Sequence, residues 1–252
     1  MSIIVVVLPL FGCSASGHIA NLAEVKQIAA SCPPGRQIAG RAAIDVGDGR
    51  VKVAAESGRL APVRELVQRV ATCDGHLRID VFAGSASATA AVFDGKLHAQ
   101  GATENARLKR VPKMVDEVMA TVTTKLPTAA STLAQDGKDV VAQFGLSTEY
   151  LRQLDPERSR YVLDVVITTD GAQTSRPVLT DANLTSADAE PLAQGVAAPD
   201  LSGAQVRVTD VGKTADRSMP TSYVDALKVF YRTVCQATKA DACMVVTDAA
   251  GR

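Results

Sequence analysis

Tryptophan is absent from this 252-residue chain, and four Tyr and five Phe are its only aromatic residues. No apolar run approaches the ~20 residues a helix needs to cross a bilayer, which excludes a polytopic membrane protein. Charge of one sign is not in excess: 27 basic side chains stand against 27 acidic ones, spread along the sequence. With no basic surplus to neutralise phosphates, nucleic acid is not an expected partner. The three histidines, His18, His76 and His98, are scattered and give no H-E-x-x-H spacing, which argues against a zinc hydrolase. No C-x-x-C pair occurs, so neither a thioredoxin-like redox site nor a zinc ribbon is expected. What remains is 46% hydrophobic residues with balanced charge, the composition of one globular domain of mixed secondary structure.

Residues 3–11 read IIVVVLPLF, Gly12 and Cys13 follow, and the chain then turns small and polar. The stretch Leu10-Phe11-Gly12-Cys13 resembles a bacterial lipobox, in which the cysteine is lipidated and becomes the mature N-terminus. No Lys or Arg precedes the apolar run, as a secretory n-region would require, and nine apolar residues also fit a buried strand ending in a core cysteine. On the lipobox reading residues 1–12 are a signal segment, Cys13 is the lipid attachment point and residues 13–37 are a polar tether. Four cysteines then remain, and an even number in an exported chain suggests two disulfides. Cys235 and Cys243 lie across a short turn between a helical and a strand pattern, leaving Cys32 for Cys73. Four reduced, buried cysteines are the alternative.

From residue 38 to 252 strand-like and helix-like segments alternate, which predicts a single doubly wound α/β domain with a mostly parallel sheet flanked by helices in three layers. Residues 40–46 (GRAAIDV) form a short strand ending at Asp45 and the turn Gly47-Asp48-Gly49. Leu60, Val63, Leu66, Val67 and Val70 mark an amphipathic helix. Residues 77–83 and 89–94 pair as a near-hairpin. Leu108, Val111, Val115, Val118, Val122 and Leu126 predict a long helix with Pro112 in its first turn and Pro127 at its end. A second helical stretch is expected near 129–144. Residues 161–169 (YVLDVVITT) read as the central strand, buried on both faces and stopped by Asp170-Gly171. Residues 172–203 predict loops with a short helix, 204–211 a strand, 223–238 a helix and 243–247 a last strand.

This order, with Asp45 closing the first strand and Thr169-Asp170-Gly171 closing the central one, resembles a von Willebrand factor A-type domain over residues 38–248. The closing stretch, from VRVTDVG to ACMVVTD, is similar to exported actinobacterial members. The resemblance implies a metal-ion-dependent adhesion site. In the family, D-x-S-x-S, a Thr and a second Asp surround Mg²⁺ and leave a position for a partner's carboxylate. Here Gly47 and Gly49 occupy both serine positions, so the implied ligand set is degenerate: Asp45, Thr103 and Asp170, holding Mg²⁺ only weakly with extra water and with Asp48 compensating. The binding rim then comprises residues 45–49, 101–104 and 170–174, with Gly47, Asp48, Gly49 and Gly171 among its contacts. The same residues also fit a metal-free arrangement, in which Asp-Gly pairs turn strand ends and Thr103 caps a helix beside Glu104.

Other chemistry finds less support. Gly47-Asp48-Gly49-Arg50 completes neither a G-x-G-x-x-G nor a P-loop spacing. Gly84-Ser85-Ala86-Ser87 is not a G-x-S-x-G elbow. Asn183-Leu184-Thr185 fits a glycosylation sequon that occurs often by chance, and Glu104, Arg107, Lys109 and Arg110 read as a solvated face. The expectation is an exported lipoprotein, anchored on the outer face of the cell membrane, which binds a protein of the cell envelope and is not an enzyme. An α/β enzyme or small-ligand binder using the same carboxyl-end rim is the alternative.

Overall fold

A computed structural model describes residues 22–248 except 57, 85–87, 135–136 and 215–217. Cys13 and the segment 1–12 lie outside the described residues. The chain builds, in order, α1 (Leu22–Ala30), β1 (Gln37–Asp45), α2 (Val51–Ala54), α3 (Ala61–Thr72), β2 (Gly75–Phe82), β3 (Thr89–Leu97), α4 (Glu104–Leu108), α5 (Val111–Ser131), α6 (Ala142–Leu154), β4 (Tyr161–Thr168), α7 (Ser186–Gln194), β5 (Gln205–Thr209), α8 (Thr221–Ala237) and β6 (Ala242–Val245). The six strands form one sheet in the order β3-β2-β1-β4-β5-β6. All neighbouring pairs are parallel except β2 and β3, the expected near-hairpin.

The sheet is covered on both faces. Ile38, Ala42 and Ile44 of β1 face a core shared with α3 and α5, while Ala39 and Ala43 face a core shared with α6, α7 and α8. β4 is buried along nearly its whole length, which is why its sequence is a continuous apolar run and not an alternation. α3 buries Val63, Leu66, Val67 and Val70 at helical spacing. Each such side chain contributes about 1.5–3 kcal/mol relative to exposure.

Three segments differ from expectation. Residues 22–30, expected within the tether, form α1, because Val25 is fully buried against the first core and Cys32 is joined to Cys73 at the end of α3. α5 does not stop at Pro127 but runs to Ser131. Proline removes one backbone hydrogen bond there, and burial of Leu126 and Ala130 on either side keeps the helix continuous. Of the helical stretch expected at 129–144, residues 129–131 close α5 and 142–144 open α6, which starts at Ala142, where its backbone N–H donates to Asp139 Oδ1 at 3.0 Å. The second disulfide joins Cys235 to Cys243 across the turn from α8 into β6. Among the described residues no helix is long and apolar enough to cross a membrane.

Candidate functional site

In a sheet of this order, β1 and β4 leave in opposite directions, and loops at their carboxyl ends border the crevice where open α/β sheets place ligands. Asp45 closes β1, and Asp170 follows β4 by two residues. Because Ile44 is in register with Thr168, the two aspartates emerge at the same level on adjacent strands. They are brought together, and both are buried.

The crevice between them is filled by two basic side chains that the sequence reading did not select. Lys138 Nζ lies 2.9 and 3.0 Å from the two carboxylate oxygens of Asp170, 3.3 Å from Asp45 Oδ2 and 3.3 Å from Asp48 Oδ2. The Arg50 guanidinium is 3.3 Å from Asp45 Oδ2 through Nε and 3.3 Å from Asp170 Oδ2 through Nη1. It also donates to the Lys213 carbonyl. Thr169 Oγ1 donates to Asp45 Oδ2 at 2.8 Å, and the backbone N–H groups of Gly47 and Ala172 donate to Asp45 Oδ1 and Asp170 Oδ1, each at 3.0 Å. Every carboxylate oxygen of the pair therefore accepts from a donor of the chain. The Lys138 side chain is 1% exposed, whereas Asp48, on the turn above it, is 50% exposed. Burial works against the Lys138 ammonium, but Asp45 and Asp170 outweigh it and hold its pKa above the ordinary lysine value. Burial pushes the Asp45 carboxyl up, and Lys138 and Arg50 pull back against that.

The loop carrying Lys138 is held from two sides. Its N–H donates to Thr174 Oγ1 at 2.8 Å, and its carbonyl accepts from Thr174 N at 3.1 Å. The Gly137 carbonyl accepts from Gly84 N at 2.7 Å, and Gln173 Oε1 accepts from Val141 N at 2.8 Å. Gly137 itself has φ +100°, and a Cβ there would lie 2.2 Å from Thr174 Oγ1. A Cβ at Gly47 would lie 2.7 Å from the Gly137 carbonyl oxygen. Glycine stands at the first serine position because the backbone of the 137–138 loop occupies that space.

Thr103 is not part of this cluster. Its side chain accepts from Ala106 N and caps α4, and Arg107 of that helix donates to the Thr72 carbonyl and to Asp74 Oδ1 just before β2 begins. Residues 101–104 thus sit at the amino edge of the parallel strands, separated from Asp45 by the length of the eight-residue β2, roughly 26 Å at ~3.3 Å per residue. The rim consists of residues 45–50, 137–138 and 169–174, bordered by Lys213, whose Nζ lies 2.8 Å from Asp248 Oδ1. The missing members stand in polar turns, Lys138 in Asp136-Gly137-Lys138-Asp139 and Arg50 at the end of the turn after Asp45, and nothing in those stretches marks them as buried.

The residues present do not fit a divalent ion. Mg²⁺ demands oxygen ligands at about 2.0–2.1 Å in near-octahedral array. Here an ammonium and a guanidinium already lie within 3.3 Å of both carboxylates, and among the described residues no group of three or more His, Cys, Asp or Glu is arranged to hold a metal.

No protein-family model matches the sequence, and no curated protein does. Two crystal structures of the pilus adhesin SpaC from Lactobacillus rhamnosus GG, one in an open conformation, each align with 87% of this chain. Identity is 11% and 8%, and the TM-scores are 0.45 and 0.46. The chain covers 29% of the length of those adhesin chains. At that similarity the likeness specifies neither a site nor a partner.

Proposed function

We propose that this chain is an exported, lipid-anchored binding module of the von Willebrand factor A type, which docks a protein of the cell envelope on the carboxyl-end rim of its sheet and catalyses no reaction. The observation that carries this reading is that the crevice between β1 and β4 is filled. Asp45, Asp170, Lys138 and Arg50 are buried and paired with one another, so among the described residues the space between these two strand ends is taken up by side chains. Asp48 and Asp248 project from that surface, and Val178, 55% exposed, lies beyond the 170–174 loop. Two disulfides support folding in an oxidising compartment, outside the cytoplasm. The element order and the two converging aspartates support the family reading. The adhesion site is degenerate, since both serine positions are glycine and Thr103 lies away from the rim, capping α4.

Cross-linked capture from envelope extracts tests the proposal. Asp48→Arg and Asp248→Arg should each lower recovery of the same envelope protein at least tenfold. Lys26→Glu, on α1 at the far edge of the sheet, should leave recovery unchanged, and Cys13→Ser should move the chain out of the membrane fraction. Equal recovery with both rim variants, or an equal loss with Lys26→Glu, would contradict the assignment of the rim.

A further inference from the structure

Two carboxylates buried side by side cannot both stay ionised unless a positive charge lies between them. A divalent ion meets that need, and so does an ammonium with three N–H donors. Lys138 Nζ has three carboxylates around it, Asp170 on both oxygens, Asp45 and Asp48, at 2.9–3.3 Å. Its approach is enforced by backbone packing. Only glycine at 47 lets the Gly137 carbonyl come as close as it does, and only glycine at 137, at φ +100°, leaves room for Thr174, which holds Lys138 by its backbone. The absent serine side chain and the lysine in the crevice are therefore two aspects of one arrangement.

We propose that the Lys138 ammonium is the resident cation of this rim, standing where a divalent metal ion would otherwise hold Asp45 and Asp170 together, and that its removal alone converts the seat into a divalent-cation site. Charge bookkeeping supports the second half. With Lys138 present, three carboxylates (Asp45, Asp48, Asp170) face one ammonium and one guanidinium, a formal net charge of −1. Without it they face Arg50 alone, a net charge of −2, which a divalent ion cancels. The Thr169 hydroxyl, 2.8 Å from Asp45 Oδ2, adds a neutral oxygen of the kind that Mg²⁺ and Mn²⁺ accept beside carboxylates and water. Occupation of the seat by Lys138 and docking of a partner on the rim are separable, because a metal titration contains no partner.

Titration with Mn²⁺, followed through the electron paramagnetic resonance signal of the free ion, tests the proposal on the full chain. The wild type should show no saturable binding and Lys138→Arg should behave like it. Lys138→Ala should bind one ion per chain, and adding Asp170→Asn should weaken that binding at least tenfold. A wild-type chain that binds one Mn²⁺, a folded Lys138→Ala chain that binds none, or binding that survives Asp170→Asn would each overturn it. If Lys138→Ala does not fold, reductive methylation of the wild type decides. Lys138 should stay unmodified while Lys113, whose side chain is 80% exposed, is dimethylated. Modification of both lysines at similar rates would overturn the assignment.

Discussion

Taking a lysine ammonium out of water costs several kcal/mol even after relaxation, and at position 138 that cost is offset only because three carboxylates converge on one nitrogen. Asp45 is in the same position: it is fully buried and tolerable as a charge only beside Lys138, Arg50 and the Thr169 hydroxyl. The seat is thus interdependent at the level of single atoms, and the glycine at 47 belongs to it as much as the charges do. Gly47→Ser restores the hydroxyl that the D-x-S-x-S pattern calls for, but its Cβ would sit 2.7 Å from the Gly137 carbonyl oxygen. The substitution should destabilise the fold by about 1–3 kcal/mol, the usual cost of overpacking, as read by urea denaturation. It should also leave the chain unable to bind Mn²⁺, because Lys138 is still present. Unchanged stability would show that the 137–138 loop yields easily and that the approach is not enforced.

At the scale of elements, the start of β4 is fixed by a side chain that sequence patterns do not single out. Asp155, just after α6, accepts through Oδ2 from the backbone N–H groups of Arg160 at 2.7 Å and Tyr161 at 2.9 Å. Burial raises this carboxyl, but the amides of Tyr161, Arg160 and Ser159 outweigh burial and hold its pKa below the ordinary aspartate value. A carboxyl depressed in the folded state contributes stability above its unfolded pKa, near 4, and that contribution is lost as pH falls through the folded value. Asp155→Asn should therefore cost about 1.5–3 kcal/mol at neutral pH, the scale of a hydrogen bond to a charged group, and the gap from wild type should close below about pH 4. Denaturant melts at several pH values measure this, and a gap constant with pH would contradict it.

Elements with strong periodicity or continuous burial were legible from sequence. α3 showed its apolar stripe, β4 its β-branched run, and β2 with β3 their short connection. α1 was not legible, because its single fully buried side chain, Val25, leaves too narrow an apolar stripe in nine residues. Nor was the course of the chain past Pro127, where buried contacts on both sides override a local breaker. Half of the candidate site could be read as well, since Asp45 and Asp170 each end a recognisable strand. The other half could not. Lys138 and Arg50 lie in turns whose sequences look solvated, and only the packing of one loop against another turns their side chains inward. Thr103 was drawn to the rim by its place before a helix, yet β3 runs antiparallel and carries the chain back to the amino edge before α4 begins.

For the whole molecule, the sheet order, the two-faced core and the disulfides make a rigid frame whose working end is set by topology. The Cys32–Cys73 bridge fastens α1 to the end of α3 and closes a separation of 41 residues, which by the loop-entropy estimate restrains the unfolded chain by roughly 4 kcal/mol. Cys235–Cys243 fastens β6, a four-residue edge strand, to α8. Both bridges lie away from the seat, so the rim keeps its geometry through charge pairing and backbone contacts alone. The central claim is that the chain supplies its own cation between β1 and β4. A crystal structure grown with excess MgCl₂ measures this most directly. The account predicts Lys138 Nζ within hydrogen-bond distance of both Asp45 and Asp170, with no ion between them. An octahedral ion bridging the two aspartates, with the Lys138 side chain turned out to solvent, would contradict it.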